Sequence, residues 1–402
     1  MKFGGSSVAD PQRIRNVAAM IIAKRKARND IVVVVSAPGG MTDDLIEKAY
    51  EITDNPDGRE MDMLLSTGEQ VSIALLTMAI KSRGYGAVSL TGPQAGIYAD
   101  SIHTKARITS VRPVKIREHL SKKRIVIVAG FQGLNPSEDI TTLGRGGSDL
   151  TAVALAAALK SDICEIYTDV RGVYDADPRI CPRARMIPCI SYDEMLEMAG
   201  SGAHVMQARS IEVAKKYGVG VEVKSSFEDV PGTIIAREGK VMEDVVVSAI
   251  THDRNMARLS VTDLPDIPGV ASKVFGALAK SNINVDMIVQ SSARDGYNDI
   301  SFTISRNDRK NAFSILKKLA KELKADGVFL DDKIATVSIV GVGMRSHAGV
   351  AARMFEVLAA KKINIEMIST SEIKISCVIR KGRMEDAVKA LHAEFLKGPH
   401  RK

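Results

Sequence analysis

TTLGRGGSDLTAVALAAALKSDICEIYTDV, residues 141–170, passes from a glycine-rich loop into an alanine-rich helical pattern and then into a strand-like apolar run. The middle part, TAVALAAALK, is rich in strong helix formers, and Ser148 or Asp149 is expected to cap it. A helix between two strands is the crossover that lets those strands lie parallel. The same alternation runs from the start of the chain to about residue 235. Strands are expected at IVVVVS (31–36), GAVSL (86–90), RIVIVA (124–129), ICEIYT (163–168) and VGVEVK (219–224). Helical periodicity falls near 11–27, 64–82, 149–160 and 205–216. Continuous β-branched runs of this kind are covered on both faces. The expected fold of this part is a three-layer αβα domain with a mostly parallel central sheet.

The chain has 402 residues, which suits two or three domains. Hydrophobic residues make up 45% and charged residues 26%, the balance of a globular protein with a sizeable core. A net charge of +8 raises the question of nucleic acid. Aromatics are only 4%, tryptophan is absent, and the basic residues are scattered among acids, so nucleic acid is discounted and small anionic substrates fit the charge as well. Cys164, Cys181, Cys189 and Cys377 lack CxxC spacing, so neither a zinc site nor a disulfide framework is expected, and reduced thiols point to the cytoplasm. No apolar run of about 18 residues and no leader ahead of Lys2 are read, so no membrane partner is expected.

Beyond Val245 the chain repeats itself. GVASKVFGALAKSNINVDMI (269–288) matches GVAARMFEVLAAKKINIEMI (349–368) at an offset of 80, with ten of twenty positions identical. Strand-like runs flank each copy: LSVTDL (259–264) and NDISFTI (298–304), then VSIVGV (337–342) and IKISCVI (373–379). Each unit reads β-loop-α-β-β-α, and two such units can pack strand edge to strand edge or helix face to helix face. The expected division is 1–238, 245–325 and 326–402.

Glycine-rich stretches end several parallel strands, where open α/β sheets bind ligands. KFGGSS (2–7) brings backbone amides and the Lys2 charge to an anion. SAPGGMTDD (36–44) follows a buried strand. In TTLGRGGSD, three glycines leave room around Arg145, which can grip a carboxylate bidentately. In YTDVRGVYDADPRI (167–180), Thr168 and Asp169 end a strand, and Tyr174, Asp177 and Arg179 follow in a loop suited to a purine and phosphates. STGEQVS (66–72) starts a helix with Glu69 in its first turn. Neither G-x-x-x-x-G-K-[ST] nor G-x-G-x-x-G is present.

KFGGSSV, STGE, LTGPQAG, GFQG, TTLGRGGSD, TDVRGVYDADPR and VKSS, in this order, resemble the aspartate kinases of the amino-acid kinase superfamily, and the tail resembles their tandem ACT domains. The resemblance covers nearly the whole chain. It implies two ferredoxin-like βαββαβ ACT domains after the kinase domain, and ATP-dependent phosphorylation of the side-chain carboxylate of L-aspartate, the first step toward lysine, threonine and methionine. It implies that Lys2 neutralises phosphate oxygens and that Asp149 orients Lys2. Glu69 is implied to bind the α-amino group and Arg145 a carboxylate, with Ser36, Thr42, Gly146, Gly147 and Ser148 completing the substrate pocket. Phe3, Gly4, Gly5, Ser6, Thr168, Asp169, Tyr174, Asp177, Pro178, Arg179 and His204 are implied for ATP. Mg²⁺ is expected to be held mainly through the ATP phosphates, without a protein metal site. Two departures stand out. Only Met1 precedes the KFGG lysine where the family has several apolar residues, so the first strand is expected to be missing or truncated. His204 takes the place of a lysine that contacts nucleotide in many relatives.

PDIPGVAS (265–272) and RSHAGVAA (345–352) lead into helices, so both present free backbone amides. Asn284 and Asp286, or Asn364 and Glu366, suit an ammonium group. With the resemblance, these imply feedback inhibition by lysine, threonine or both. The implied site comprises Asp266, Gly269, Val270, Ala271, Asn284, Val285, Asp286 and Gln290, meeting Ala351, Ala352, Asn364, Ile365, Glu366 and Glu372 of the second repeat. A homo-oligomer, or an assembly with a shorter subunit starting near Met242, is expected. The alternatives are a sister kinase for glutamate or another carboxylate, and a non-catalytic amino-acid sensor with a degenerate kinase domain.

Overall fold

The computed structural model describes residues 1–203, 205–237 and 246–396. The chain opens with β1 (Lys2–Phe3), a 3-10 turn over Gly5–Val8 and α1 (Pro11–Lys26). Asp10 caps α1 by accepting the Arg13 N–H at 2.8 Å. Next come β2 (Val32–Val35), α2 (Met41–Ile52), α3 (Gly58–Lys81) and β3 (Ala87–Leu90). β4 (Ile97–Ala99), β5 (Ile108–Val111), α4 (Val114–Ser121), β6 (Ile125–Ala129), β7 (Gln132–Leu134) and β8 (Ile140–Thr142) follow. α5 (Gly147–Leu159), β9 (Cys164–Thr168), β10 (Cys189–Ser191), α6 (Tyr192–Gly200), α7 (Ala208–Tyr217), β11 (Val221–Ser225) and β12 (Thr233–Ala236) complete this half.

Eight strands form its central sheet in the order β10-β12-β11-β9-β1-β2-β6-β3. Its neighbours run parallel except β11 and β12. Strand alternation sends Val33, Val35, Ile125 and Ile127 to the side of α1 and α3, and Val34, Val126 and Val128 to the side of α5. The first strand is present and two residues long. Its two residues sit in mid-sheet, with Lys2 in register with Val34 and Ile166, and Phe3 stacks on Tyr167 at 4.6 Å.

Two helix starts differ from expectation. α3 begins at Gly58, where Asp57 accepts the Arg59 and Glu60 N–H groups, so STGE lies well inside the helix and Glu69 is not in its first turn. α5 has no side-chain cap. Gly146, at φ 75°, turns the chain into the helix, and Ser148 and Asp149 occupy its first turn. α3 is also long and apolar enough to cross a membrane, against the expectation of no such run. Half of its apolar window is buried here, with Ile73, Leu76 and Ile80 in the core.

The second half comprises β13 (Ala249–Asp253), β14 (Met256–Pro265), α8 (Val270–Lys280), β15 (Val285–Gln290), β16 (Tyr297–Ser305), α9 (Arg309–Leu323), β17 (Gly327–Asp331) and β18 (Ile334–Val340). It ends with α10 (Val350–Ala360), β19 (Ile365–Thr370), β20 (Lys374–Arg380) and α11 (Met384–Phe395). These strands build two four-stranded sheets, β15-β16-β14-β17 and β13-β18-β20-β19. The first unit is a continuous βαββαβ, and β17 belongs to it, so a division at 325/326 cuts through the first sheet. The second takes its fourth strand from β13, which precedes the first unit in the chain. The first unit is thus inserted into the second.

Among the described residues no strand pairs across the two sheets, so the units do not meet edge to edge. The helix-free faces of the sheets touch through Met256, Met287, Ile334, Met367 and Val378. Beside these, Glu366 pairs with Arg258 at 2.9 Å and Arg380 at 2.6 Å.

Candidate active site

The carboxyl ends of β1, β2, β6 and β9 converge on one face of the large sheet. Backbone bonds fix the loops leaving them: Gly4 N–H donates to Tyr167 O, Ser36 N–H to Phe3 O, Gly39 N–H to Gly5 O and Gly130 N–H to Val35 O. At Gly5 a side chain would begin 2.7 Å from Ala37 O, so only glycine lets the two turns approach so closely.

Lys2 reaches this face from the middle of the sheet. Its ammonium lies 2.7 Å from Asp149 Oδ1, with both residues buried. The first turn of α5 suits the Asp149 carboxylate, and the Lys2 nitrogen lies beside Gly4, at 3.7 Å from where a side chain there would start. Ser148 is buried against Gly130. Phe3 packs beneath, and Ser6 gives its carbonyl to Arg13 at 2.6 Å.

The turn after β2 links three more groups. Ala37 N–H donates to Glu69 Oε1 at 3.1 Å. Glu69 Oε2 is buried without a hydrogen-bond partner, and burial pushes this carboxyl up to about 7. In the first turn of α2, after Thr42, Asp43 Oδ1 pairs with Arg145 Nη2 at 2.5 Å. The Arg145 side chain is 84% exposed. The segment Ala37–Asp43 thus touches a buried carboxyl at one end and an exposed guanidinium at the other.

Loop 169–179 follows β9 on the other side of β1. Thr168 Oγ1 donates to Asp169. Asp177 accepts three N–H groups of Arg179, which hold its carboxyl low although burial acts the other way. Tyr174 bridges to Met186, and Pro178 lies in the turn between Asp177 and Arg179. Arg179 is thus engaged locally, while its side chain stays 88% exposed. His204 lies outside the described residues.

Three polar residues escaped the sequence reading. Asp62, fully buried on α3, accepts from Thr104 N–H, Thr142 Oγ1 and the His103 ring, tying the Glu69 helix to the strand leading to Arg145. Asp43 lay inside a quoted stretch, but nothing local marks it as the partner of Arg145. Gln207 donates to Arg145 O at 2.7 Å.

In the second half, Asp266 accepts from Asn298 at 2.9 Å and is exposed. Gly269 and Gly349 turn into α8 and α10 at φ 98° and 91°, so these helices start at Val270–Ala271 and Val350–Ala352 without side-chain caps, and the Val270 N–H donates to Ile267 O at 3.5 Å. Asn284, Asp286 and Gln290 are exposed at edge strand β15, with Val285 half-buried. The second repeat is not equivalent. The reading of Glu366 as an ammonium receiver is corrected, because two arginines already occupy that carboxylate. Asn364 is exposed, Ile365 packs inward, and Glu372 pairs with Arg345 at 3.2 Å.

Residues 1–225 match the amino acid kinase family, and residues 257–324 and 337–395 each match an ACT domain. The chain is 54% identical over 395 residues to an aspartate kinase of Pseudomonas putida, with 98% of this chain and 96% of the relative covered. Among solved structures, E. coli aspartokinase III in complex with aspartate and ADP (R-state) is 25% identical, with a TM-score of 0.82 and coverage of 98% and 99%. E. coli aspartokinase III with lysine and aspartate (T-state) gives 25%, 0.74, 98% and 98%.

Proposed function

Since the chain belongs to the amino acid kinase family, among its aspartate kinases, it phosphorylates aspartate under allosteric control, and we propose how its own residues divide that work. ATP is the phosphoryl donor. An oxygen of the aspartate side-chain carboxylate bonds to the γ-phosphorus as the bond to the leaving oxygen breaks, giving aspartyl phosphate and ADP. Such transfer needs positioning and charge neutralisation more than covalent help. Lys2 supplies positive charge to the moving phosphoryl group, and Asp149 keeps its ammonium beside Gly4. Glu69 takes the substrate ammonium and Arg145 the α-carboxylate, leaving the side-chain carboxylate to face the phosphate path. Loop 168–179 serves the nucleotide.

The observation that carries this division is Glu69 Oε2, a buried carboxylate oxygen without a protein partner beside the glycine turns. Burying such a group is costly unless a cation meets it. Among the described residues no group of three or more His, Cys, Asp or Glu side chains is placed to hold a metal. Mg²⁺ is proposed as an ion carried by the ATP phosphates, whose charge it would neutralise. ADP release measured with aspartate, with glutamate and without acceptor tests the reading. Release with aspartate alone is expected, and equal rates in all three overturn it.

The ACT domains are the regulatory sensors, and lysine, threonine or both are the inhibitors proposed. The complex of E. coli aspartokinase III with lysine supports lysine. The proposed site uses the uncapped start of α8 at Gly269–Ala271 with Asp266, Asn284 and Asp286. A cytoplasmic homo-oligomer, or an assembly with a shorter subunit, completes the proposal. The shorter chain would start near Met242, which lies outside the described residues. Finding no carboxyl-terminal fragment in the native host overturns the second form.

A further inference from the structure

We infer that Gln207 is a positioning residue for Arg145, and that the segment carrying it couples the substrate loop to regulatory strand β13. The inference rests on Arg145 binding the substrate carboxylate. The Arg145 side chain is 84% exposed, and its guanidinium pairs with Asp43. Its backbone lies between glycines at φ 77° and 75° that impose no side-chain restraint. That backbone needs an external brace, and the start of α7 supplies it. Gln207 Nε2 donates to Arg145 O at 2.7 Å, and Arg209 donates to Leu143 O at 2.9 Å. The Gln207 Cβ also stands 2.8 Å from where a side chain on Gly146 would begin. Meanwhile Gln207 Oε1 is buried and unpartnered. A residue present only to fill space would avoid that desolvation cost.

The other end of the same connection touches the regulatory half. At Gly202, φ 101°, a side chain would begin 1.9 Å from His252 O of β13, so the two backbones lie flush. α6, which leads into this segment, is fastened there too. Glu194 accepts from Ser248 Oγ at 2.5 Å and from Val342 N–H at 3.2 Å, and Glu197 pairs with Lys374 at 2.8 Å. Gly202 and Gln207 thus lie one short segment apart, one against the regulatory strand and the other against the loop that bears Arg145. A shift of β13 on effector binding reaches Gly202 directly and moves the brace.

The test is steady-state kinetics of the full chain at saturating ATP. Gln207→Glu removes the donor at nearly constant shape. It is expected to raise the aspartate KM about tenfold, the worth of one lost hydrogen bond, with the ATP KM unchanged. An unchanged aspartate KM overturns the positioning role. Gly202→Ala, or Glu197→Gln if the former does not fold, perturbs the regulatory end. Either change is expected to alter the aspartate KM in the wild-type background and to add nothing in the Gln207→Glu background. Effects that multiply in the double variant overturn the coupling. If Arg145→Ala itself leaves the aspartate KM unchanged, the assignment of Arg145 has failed instead.

Discussion

Lowering the pH from 8 to 6 titrates Glu69 across its raised value, about 7. Only the carboxylate can receive the substrate ammonium, so the apparent affinity for aspartate falls with the fraction ionised. That fraction drops from about nine-tenths to about one-tenth, a loss of roughly tenfold in kcat/KM for aspartate. The values for ATP should move much less over the same range. Glu69→Gln should flatten the acid limb and lower kcat/KM for aspartate by about tenfold to a hundredfold, the cost of one charge-assisted hydrogen bond. Stability supplies a second readout. A carboxyl whose folded value lies above 4.5 holds its proton more tightly when folded, so the ligand-free protein loses stability as pH rises from about 4.5 to 7, by roughly 3 kcal/mol for this group. Glu69→Gln should remove that slope. ADP quantified after quenching gives the kinetic profile, and urea unfolding at each pH gives the other. A flat aspartate profile in the wild type, or an acid limb that survives in Glu69→Gln, refutes the reasoning.

Lys2→Ala should cut kcat by about a hundredfold or more with modest KM changes, because its charge matters most as the phosphoryl group moves; near-normal turnover by ADP release removes Lys2 from the mechanism. Arg145→Ala should raise the aspartate KM with ATP binding little changed, by about 1.5–3 kcal/mol of lost charged hydrogen bonding; a collapse of ATP affinity with unchanged aspartate KM contradicts the assignment. Asp266→Ala should relieve inhibition by lysine or threonine and leave uninhibited turnover intact, the expected coupling being about 1–3 kcal/mol. If neither amino acid, singly or together at millimolar concentration, inhibits the wild type or shifts its melting temperature, the regulatory site is misplaced.

The central sheet was legible because its strands announce themselves. Val32–Val35 and Ile125–Ala129 are unbroken apolar runs, and such runs need cover on both faces. Lys2, Glu69, Arg145 and Asp149 stood out as candidates because each sits in a short motif of unusual residues. The start of α3 was hidden because Ser66 and Glu69 mimic a helix start, whereas Asp57 caps the helix nine residues earlier. Asp43, Asp62 and Gln207 were hidden for another reason. Their partners Arg145, Thr104 and Arg145 lie 102, 42 and 62 residues away, and no local pattern encodes a polar contact of that range. The offset of 80 exposed the repeat but not its strand exchange. β13 and β17 have similar strand character, and which sheet each joins is decided by tertiary packing.

That exchange dictates an order of events as the chain is synthesised. β13 emerges first, but β18, its only partner strand among the described residues, emerges after the whole inserted unit. The insert has all four of its strands in one continuous span and can close by itself, whereas the surrounding sheet must hold one strand open until the insert is complete. Closing so long a loop is entropically costly before any contact rewards it. A finished insert shortens the effective distance by bringing its own two ends, β14 and β17, side by side. The first unit thus acts as a jig for the second. Damage to the core of the first should leave β13 as a bare strand edge, with aggregation of the nascent chain as its outcome. A shorter subunit that begins upstream of Ala249 inherits the same assembly line entire, while one begun a few residues later would have to build its second sheet with three strands.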